Sequence, residues 1–216
     1  MKNYSTILFD LDGTLTDSSQ GIINSIIYAL EKYDINDYDM PLLRKFLGPP
    51  LHESFEKFMG FDKEKSLQAV KLYRKYFSSK GLLENEVYAG VNDLLQNLKE
   101  NGKTLIVATS KPQPFTDKIM EHFDLAKYFD FIAGSNMDTT RSKKAEVIEY
   151  ALSECNIKDK SKVIMIGDRA EDMIGAQSAG IDSIGVEYGY GTFDELKNAG
   201  ATYIAKTVDE LKNLLS

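Results

Sequence analysis

Ile7-Leu8-Phe9-Asp10-Leu11-Asp12-Gly13-Thr14 is an apolar run that ends in two carboxylates and a glycine. An apolar run bounded by a Gly-containing turn reads as a buried strand of a parallel sheet. Ligands of such sheets bind beyond the carboxyl ends of the strands. Side chains at i and i+2 of an extended chain share a face, so Asp10 and Asp12 address one centre. Carboxylates that close repel, and they coexist beside a cation or when one keeps a proton.

Working outward, further apolar runs lie at residues 104–108 (TLIVA), 129–133 (FDFIA), 163–166 (VIMI), 183–186 (SIGV) and, more weakly, 203–205 (YIA). Helical spacing separates them: Val91, Leu94, Leu95 and Leu98 before Asn101-Gly102, then Phe115, Ile119 and Phe123, then Val147, Ile148, Ala151 and Leu152. Strand–helix alternation of this kind predicts an α/β fold with a doubly wound parallel sheet. Residues 17–85 break the rhythm. They hold no convincing strand and three amphipathic stripes: Ile22, Ile23, Ile26, Ile27 and Leu30; Leu51, Phe55 and Phe58; Leu67, Val70, Leu72, Tyr73 and Phe77. The expected organisation is an α/β core of residues 1–16 and 86–216 with a small helical insert of residues 17–85. Gly48-Pro49-Pro50 makes a rigid break inside the insert, whose aromatic residues are expected in its core.

Composition narrows the function. A hydrophobic fraction of 43%, a charged fraction of 27% and a net charge of -7 describe an ordinary soluble chain. They argue against general binding to nucleic acid or anionic membranes. Cys155 is the single cysteine, so no intrachain disulfide or thiolate metal cluster is expected. The polar start suits neither a signal peptide nor a membrane span, and a cytoplasmic protein is expected.

Each strand leaves polar residues at its end: Asp10 and Asp12 after the first, Thr109, Ser110 and Lys111 after the second, and Asp168, Arg169 and Asp172 after the fourth. Arg141-Ser142-Lys143-Lys144 precedes a helix between the third and fourth strands. Taken together, they supply a nucleophile, a proton-transfer group, a phosphate cradle, a cation and metal ligands.

In these motifs the chain resembles the phosphatase branch of the haloacid dehalogenase superfamily. The carriers are Asp10-Leu11-Asp12-Gly13-Thr14, Thr109-Ser110, Lys144, and Gly167-Asp168 with Asp172. The helical insert looks like the family's cap, and Val87-Tyr88-Ala89-Gly90-Val91 is similar to the return segment of phosphoglycolate phosphatase-like members. The resemblance implies Asp10 as the nucleophile that forms an aspartyl-phosphate and Asp12 as general acid, then base. It implies Mg²⁺ on Asp10, Asp168 and the backbone carbonyl of Asp12, with water completing an oxygen octahedron.

The same resemblance assigns phosphoryl oxygens to the Thr109 hydroxyl, the Ser110 amide and the amides of Leu11, Asp12 and Gly13, with Lys144 as the cation. The usual Lys-Pro-x-Pro is absent here, and Lys143 competes with Lys144 for that role. Asp172 either orients a metal water or Lys144, or caps the helix that follows. Lys111 either touches the leaving group or lies on the surface. Arg169 is expected in a salt bridge near the rim, and Arg44 with the Gly48-Pro49-Pro50 turn in specificity. His52 and His122 are expected to be ordinary surface or helix residues.

The implied function is Mg²⁺-dependent hydrolysis of a small phosphorylated metabolite, phosphoglycolate-like or a nucleoside 5′-monophosphate, by a monomer or weak homodimer. A sugar phosphomutase and a non-catalytic phosphometabolite-binding module are the alternatives.

Overall fold

Both faces of the sheet are buried, which is why its strands read as unbroken apolar runs rather than alternating ones. The computed structural model describes residues 2–138 and 140–215. In chain order, β1 (Thr6–Phe9) and the two-residue β2 (Thr16–Asp17) lead into helices α1 (Ser19–Glu31), α2 (Met40–Arg44), α3 (Leu51–Met59) and α4 (Lys63–Tyr76). After β3 (Glu86–Val87) strands and helices alternate: α5 (Val91–Glu100), β4 (Thr104–Pro112), α6 (Gln113–His122), β5 (Phe131–Ser135), α7 (Lys144–Glu154) and β6 (Val163–Gly167). The chain ends with α8 (Ala170–Ala179), β7 (Asp182–Val186), α9 (Phe193–Asn198), β8 (Tyr203–Ala205) and α10 (Val208–Leu215).

The chain divides into two units, Met1–Thr16 with Val87–Ser216 and Asp17–Glu86. In the first, six parallel strands run in the order β5-β4-β1-β6-β7-β8. The order reverses at β1, so the crevice beyond the carboxyl ends of β4, β1 and β6 is the switch point at which ligands bind. Leu8 lies opposite Ile106 and Met165, and this row packs against Val147, Ile148, Ala151 and Leu152 of α7 and Ala176 and Ala179 of α8. On the other face Ile7, Leu105 and Ile164 are equally inaccessible. Burying each such side chain stabilises the fold by about 1.5–3 kcal/mol.

The second unit is helical. Ile22, Ile23, Ile26 and Leu30 of α1 are buried as their spacing predicts. Phe46, Phe55, Phe61 and Tyr33 stack in a chain of ring contacts 5.1–5.9 Å apart. The stripe expected on α4 is rotated. Ser66, Ala69 and Tyr73 form its buried face, and Leu67 is exposed. Small residues let α4 approach α1 closely, so the packed face is not the most apolar one. The two-residue strands β2 and β3 pair with each other where the chain leaves and rejoins the first unit.

Candidate active site

β1 ends at Phe9, but the Asp10 N–H still donates to Ile166 O at 2.9 Å, holding Asp10 in the sheet's register. The chain then coils: the N–H groups of Thr14, Leu15 and Thr16 converge on Leu11 O at 3.3, 2.9 and 3.0 Å. Gly13 sits at φ +82°, and a Cβ there would lie 2.2 Å from Asp168 Oδ2. Only glycine meets both demands. Its N–H donates to Thr16 O at 2.7 Å. This amide, expected at a phosphoryl oxygen, is thus engaged within the loop, and the missing side chain gives Asp168 its close approach.

A second loop closes over the same atoms. Gly189 lies so near that a Cβ would meet Gly13 O at 2.2 Å and Asp168 Cβ at 2.4 Å. The Tyr188 hydroxyl donates to Thr14 O at 3.1 Å, and the Tyr190 N–H donates to Asp168 Oδ2 at 2.8 Å. Sequence reading missed this strap. Its Tyr-Gly-Tyr-Gly pattern just past a strand end was the available signal.

Lys144 is buried; its ammonium donates to Asp10 Oδ1 at 2.6 Å and Ala108 O at 3.0 Å and forms an ion pair with Asp172 Oδ1 at 2.8 Å. Lys143, the N-cap of α7, is exposed, so the lysine turned toward Asp10 is Lys144. Burial alone would lower the Lys144 pKa, but Asp10 and Asp172 outweigh it and hold the ammonium above its ordinary range. Asp172 has two partners: Oδ1 lies 2.8 Å from the Lys144 ammonium, and Oδ2 accepts the Arg169 N–H at 3.1 Å at the start of α8. Burial pushes its carboxyl up to about 6 against the pull of Lys144.

Asp168 has no exposed surface. Thr14 Oγ1 donates to its Oδ1 at 3.2 Å. Burial, then the neighbouring charges of Asp172 and Asp10, drive its carboxyl well above the carboxylate range. The three carboxylates of Asp10, Asp168 and Asp172 place oxygens within 4.8 Å of one another. A cluster of hard oxygen donors with surplus negative charge fits a divalent cation of the Mg²⁺ type.

Asp12 has a different partner. Lys111 is buried and its ammonium lies 2.8 Å from Asp12 Oδ2. The expected alternative of a surface lysine is therefore corrected. The register of β4 shifts between Ala108 and Pro112, where Thr109 Oγ1 accepts the Lys111 N–H at 3.2 Å. Ser110 O accepts from Ser135 Oγ at 2.8 Å. Arg169 pairs with Glu195 at 2.8 Å, the salt bridge expected of it. Arg44 is exposed in the helical unit, and His52 and His122 lie in helices outside this constellation.

The comparisons agree with this geometry. The family model described as haloacid dehalogenase-like hydrolase matches residues 7–186. A 5′-nucleotidase from Pseudomonas aeruginosa is 42% identical over 212 residues, covering 98% of this chain and 96% of that protein. The tyrosine-protein kinase PtkA of Mycobacterium tuberculosis is 36% identical, covering 97% and 72%. The crystal structure of a predicted phosphatase from Clostridium acetobutylicum superposes with a TM-score of 0.95 at 51% identity, covering 99% of each chain. Fold, motif order and relatives converge: the chain belongs to the haloacid dehalogenase-like hydrolase family and is one of its phosphatases.

Proposed function

We propose that the protein is a Mg²⁺-dependent phosphatase of small phosphate monoesters that works through an aspartyl-phosphate on Asp10. The observation that carries this reading is the separation of two neighbouring carboxylates by different lysines, Asp10 on Lys144 and Asp12 on Lys111. Asp10 attacks phosphorus while Asp12 protonates the departing oxygen. Asp12 then takes a proton from the water that attacks the phosphoenzyme, releasing phosphate and restoring Asp10. Such proton transfer contributes about 10²–10⁴-fold.

The Thr109 hydroxyl and the amides of Leu11, Asp12 and Ser110 hold the phosphoryl oxygens, and Lys144 offsets their charge. Asp10, Asp168 and the Asp12 carbonyl would hold the metal. When bound, it would screen the repulsion between an anionic nucleophile and an anionic ester. Asp172 positions Lys144 from the far side.

Phosphoglycolate-like acids and nucleoside 5′-monophosphates are the substrate groups we assign, the latter in line with the nucleotidase among the relatives. The helical unit acts as a cap that selects the leaving group. Among the described residues no helix is long and apolar enough to cross a membrane, and we place the enzyme in the cytoplasm as a monomer or weak dimer.

The test is Asp10→Asn with p-nitrophenyl phosphate and magnesium: activity falls by at least about 10³-fold, and undiminished turnover by pure mutant sinks the nucleophile assignment. The kinase-named relative raises a second reading, in which the aspartyl-phosphate passes to an acceptor other than water. Product analysis separates the two: inorganic phosphate stoichiometric with ester consumed supports the phosphatase, and a phosphorylated or isomerised acceptor supports transfer.

A further inference from the structure

We propose that Lys111 is a positioning residue that fixes the Asp12 carboxylate for proton transfer to the leaving oxygen. The inference rests on the reading of Asp12 as the acid. Two aspartates two residues apart on one strand end are chemically identical, and something must give them different jobs. Here each meets its own lysine. Lys144, from the helix after β5, takes Asp10 Oδ1, and Lys111, from the end of β4, takes Asp12 Oδ2 at 2.8 Å.

The Lys111 pair is built into the fold. β4 stays extended beyond its last apolar residue, Ala108, so that Thr109 and Lys111 are both buried while Ser110 between them is half-buried. The Lys111 N–H donates to Thr109 Oγ1 at 3.2 Å, and its carbonyl accepts from Thr116 Oγ1 at 3.3 Å. Gly134 packs against the same carbonyl, where a Cβ would come within 2.8 Å. These contacts fix the Lys111 backbone, and its buried side chain ends in an ion pair with Asp12, so its ammonium is not a solvated surface charge. The side chains of Lys111 and Asp12 are only 6% and 19% exposed.

With Oδ2 anchored, the proton moves at Oδ1. It passes to the bridging oxygen as the bond from phosphorus to that oxygen breaks and the bond from Asp10 to phosphorus forms. The alcohol leaves neutral, and Asp12 remains an anion paired with Lys111. A lysine that bound phosphate itself would assist all esters alike. One that acts through Asp12 assists only esters whose leaving group needs the proton.

The experiment compares kcat/KM, which reports the steps through loss of the leaving group, for a nucleoside 5′-monophosphate and for 2,4-dinitrophenyl phosphate at saturating Mg²⁺. The dinitrophenolate departs without a proton. Lys111→Gln is expected to lose about 10–100-fold on the nucleotide and less than about threefold on the dinitrophenyl ester. Asp12→Asn shows the same split, larger. The double variant, which removes both buried charges and so avoids leaving one unpaired, is no worse than Asp12→Asn alone.

Equal losses on both esters for Lys111→Gln, or losses that multiply in the double variant, overturn the assignment. Absence of a split in Asp12→Asn defeats the reading of Asp12 as the acid. A split there without one in Lys111→Gln defeats the role of Lys111 alone.

Discussion

A carboxyl with no exposed surface and two like charges beside it destabilises the fold in its ionised form, and Asp168 is such a group. Because its folded pKa is raised, its ionisation is disfavoured in the native state, and metal-free stability declines as pH rises from the unfolded carboxylate value toward the folded one. A divalent cation reverses the sign by binding the ionised cluster. Magnesium at about 100 times its dissociation constant adds roughly 2.7 kcal/mol, which for a chain of this size raises Tm by about 5–10 °C. In Asp168→Asn the amide oxygen takes the Oδ2 place and keeps the Tyr190 N–H, while the NH2 takes the Oδ1 place and donates to the Thr14 hydroxyl, so that variant melts no lower than the wild type in chelator and gains nothing from magnesium. Differential scanning fluorimetry with and without Mg²⁺ reads both. A full shift in the variant would place the cation elsewhere.

β7 carries the clearest pH-dependent tie between elements. At its first residue Asp182 Oδ2 accepts from Lys2 Nζ at 2.8 Å and from the buried Tyr4 hydroxyl at 2.7 Å. The Lys2 ammonium, opposed by partial burial and aided by Tyr4, holds the carboxyl below its ordinary range. A depressed acid contributes stability above its unfolded pKa of about 3.9 and loses it as pH falls through the folded value. Asp182→Asn is therefore less stable than the wild type from neutral pH down to about 5, by no more than about 1 kcal/mol in a solvent-screened pair. The difference vanishes once the pH has fallen below the depressed folded value, under the ordinary carboxylate range. Urea midpoints across that range measure it, and a gap that persists in acid would deny the charge a role.

The elements that sequence made legible are those whose residues only pack. The apolar runs at 104–108 and 163–166 became strands, and the motif residues fell at their carboxyl ends. Illegible were residues with a second task. β4 continues through Thr109, Ser110 and Lys111, and no apolar signal marks that stretch. β5 starts two residues later than its apolar run because the Asp130 carboxylate turns back to accept the Leu105 N–H at 2.9 Å. α4 hides its packed face behind Ser66 and Ala69. The i, i+2 argument that paired Asp10 with Asp12 applies equally to Thr109 and Lys111, and it was the available route to the buried lysine.

At the scale of the whole molecule the groups proposed to carry the chemistry fall within one of the two units. Asp10, Asp12, Lys111, Lys144, Asp168 and Asp172 all belong to the unit of residues 1–16 and 87–216. Groups that act on the phosphoryl centre cannot tell one monoester from another, because every monoester presents the same three oxygens. We propose that discrimination between leaving groups falls to the 17–86 unit, where Arg44 offers an exposed cation at the end of α2. A guanidinium favours a leaving group that carries its own carboxylate. Arg44→Ala is expected to lower kcat/KM for phosphoglycolate by about tenfold, the scale of one lost contact in a selective site. It should leave p-nitrophenyl phosphate within about twofold and the magnesium-induced Tm shift unchanged. A uniform loss on both esters would return Arg44 to general electrostatics. No loss on either would move leaving-group choice to other residues of the helical unit, the Gly48-Pro49-Pro50 turn first among them.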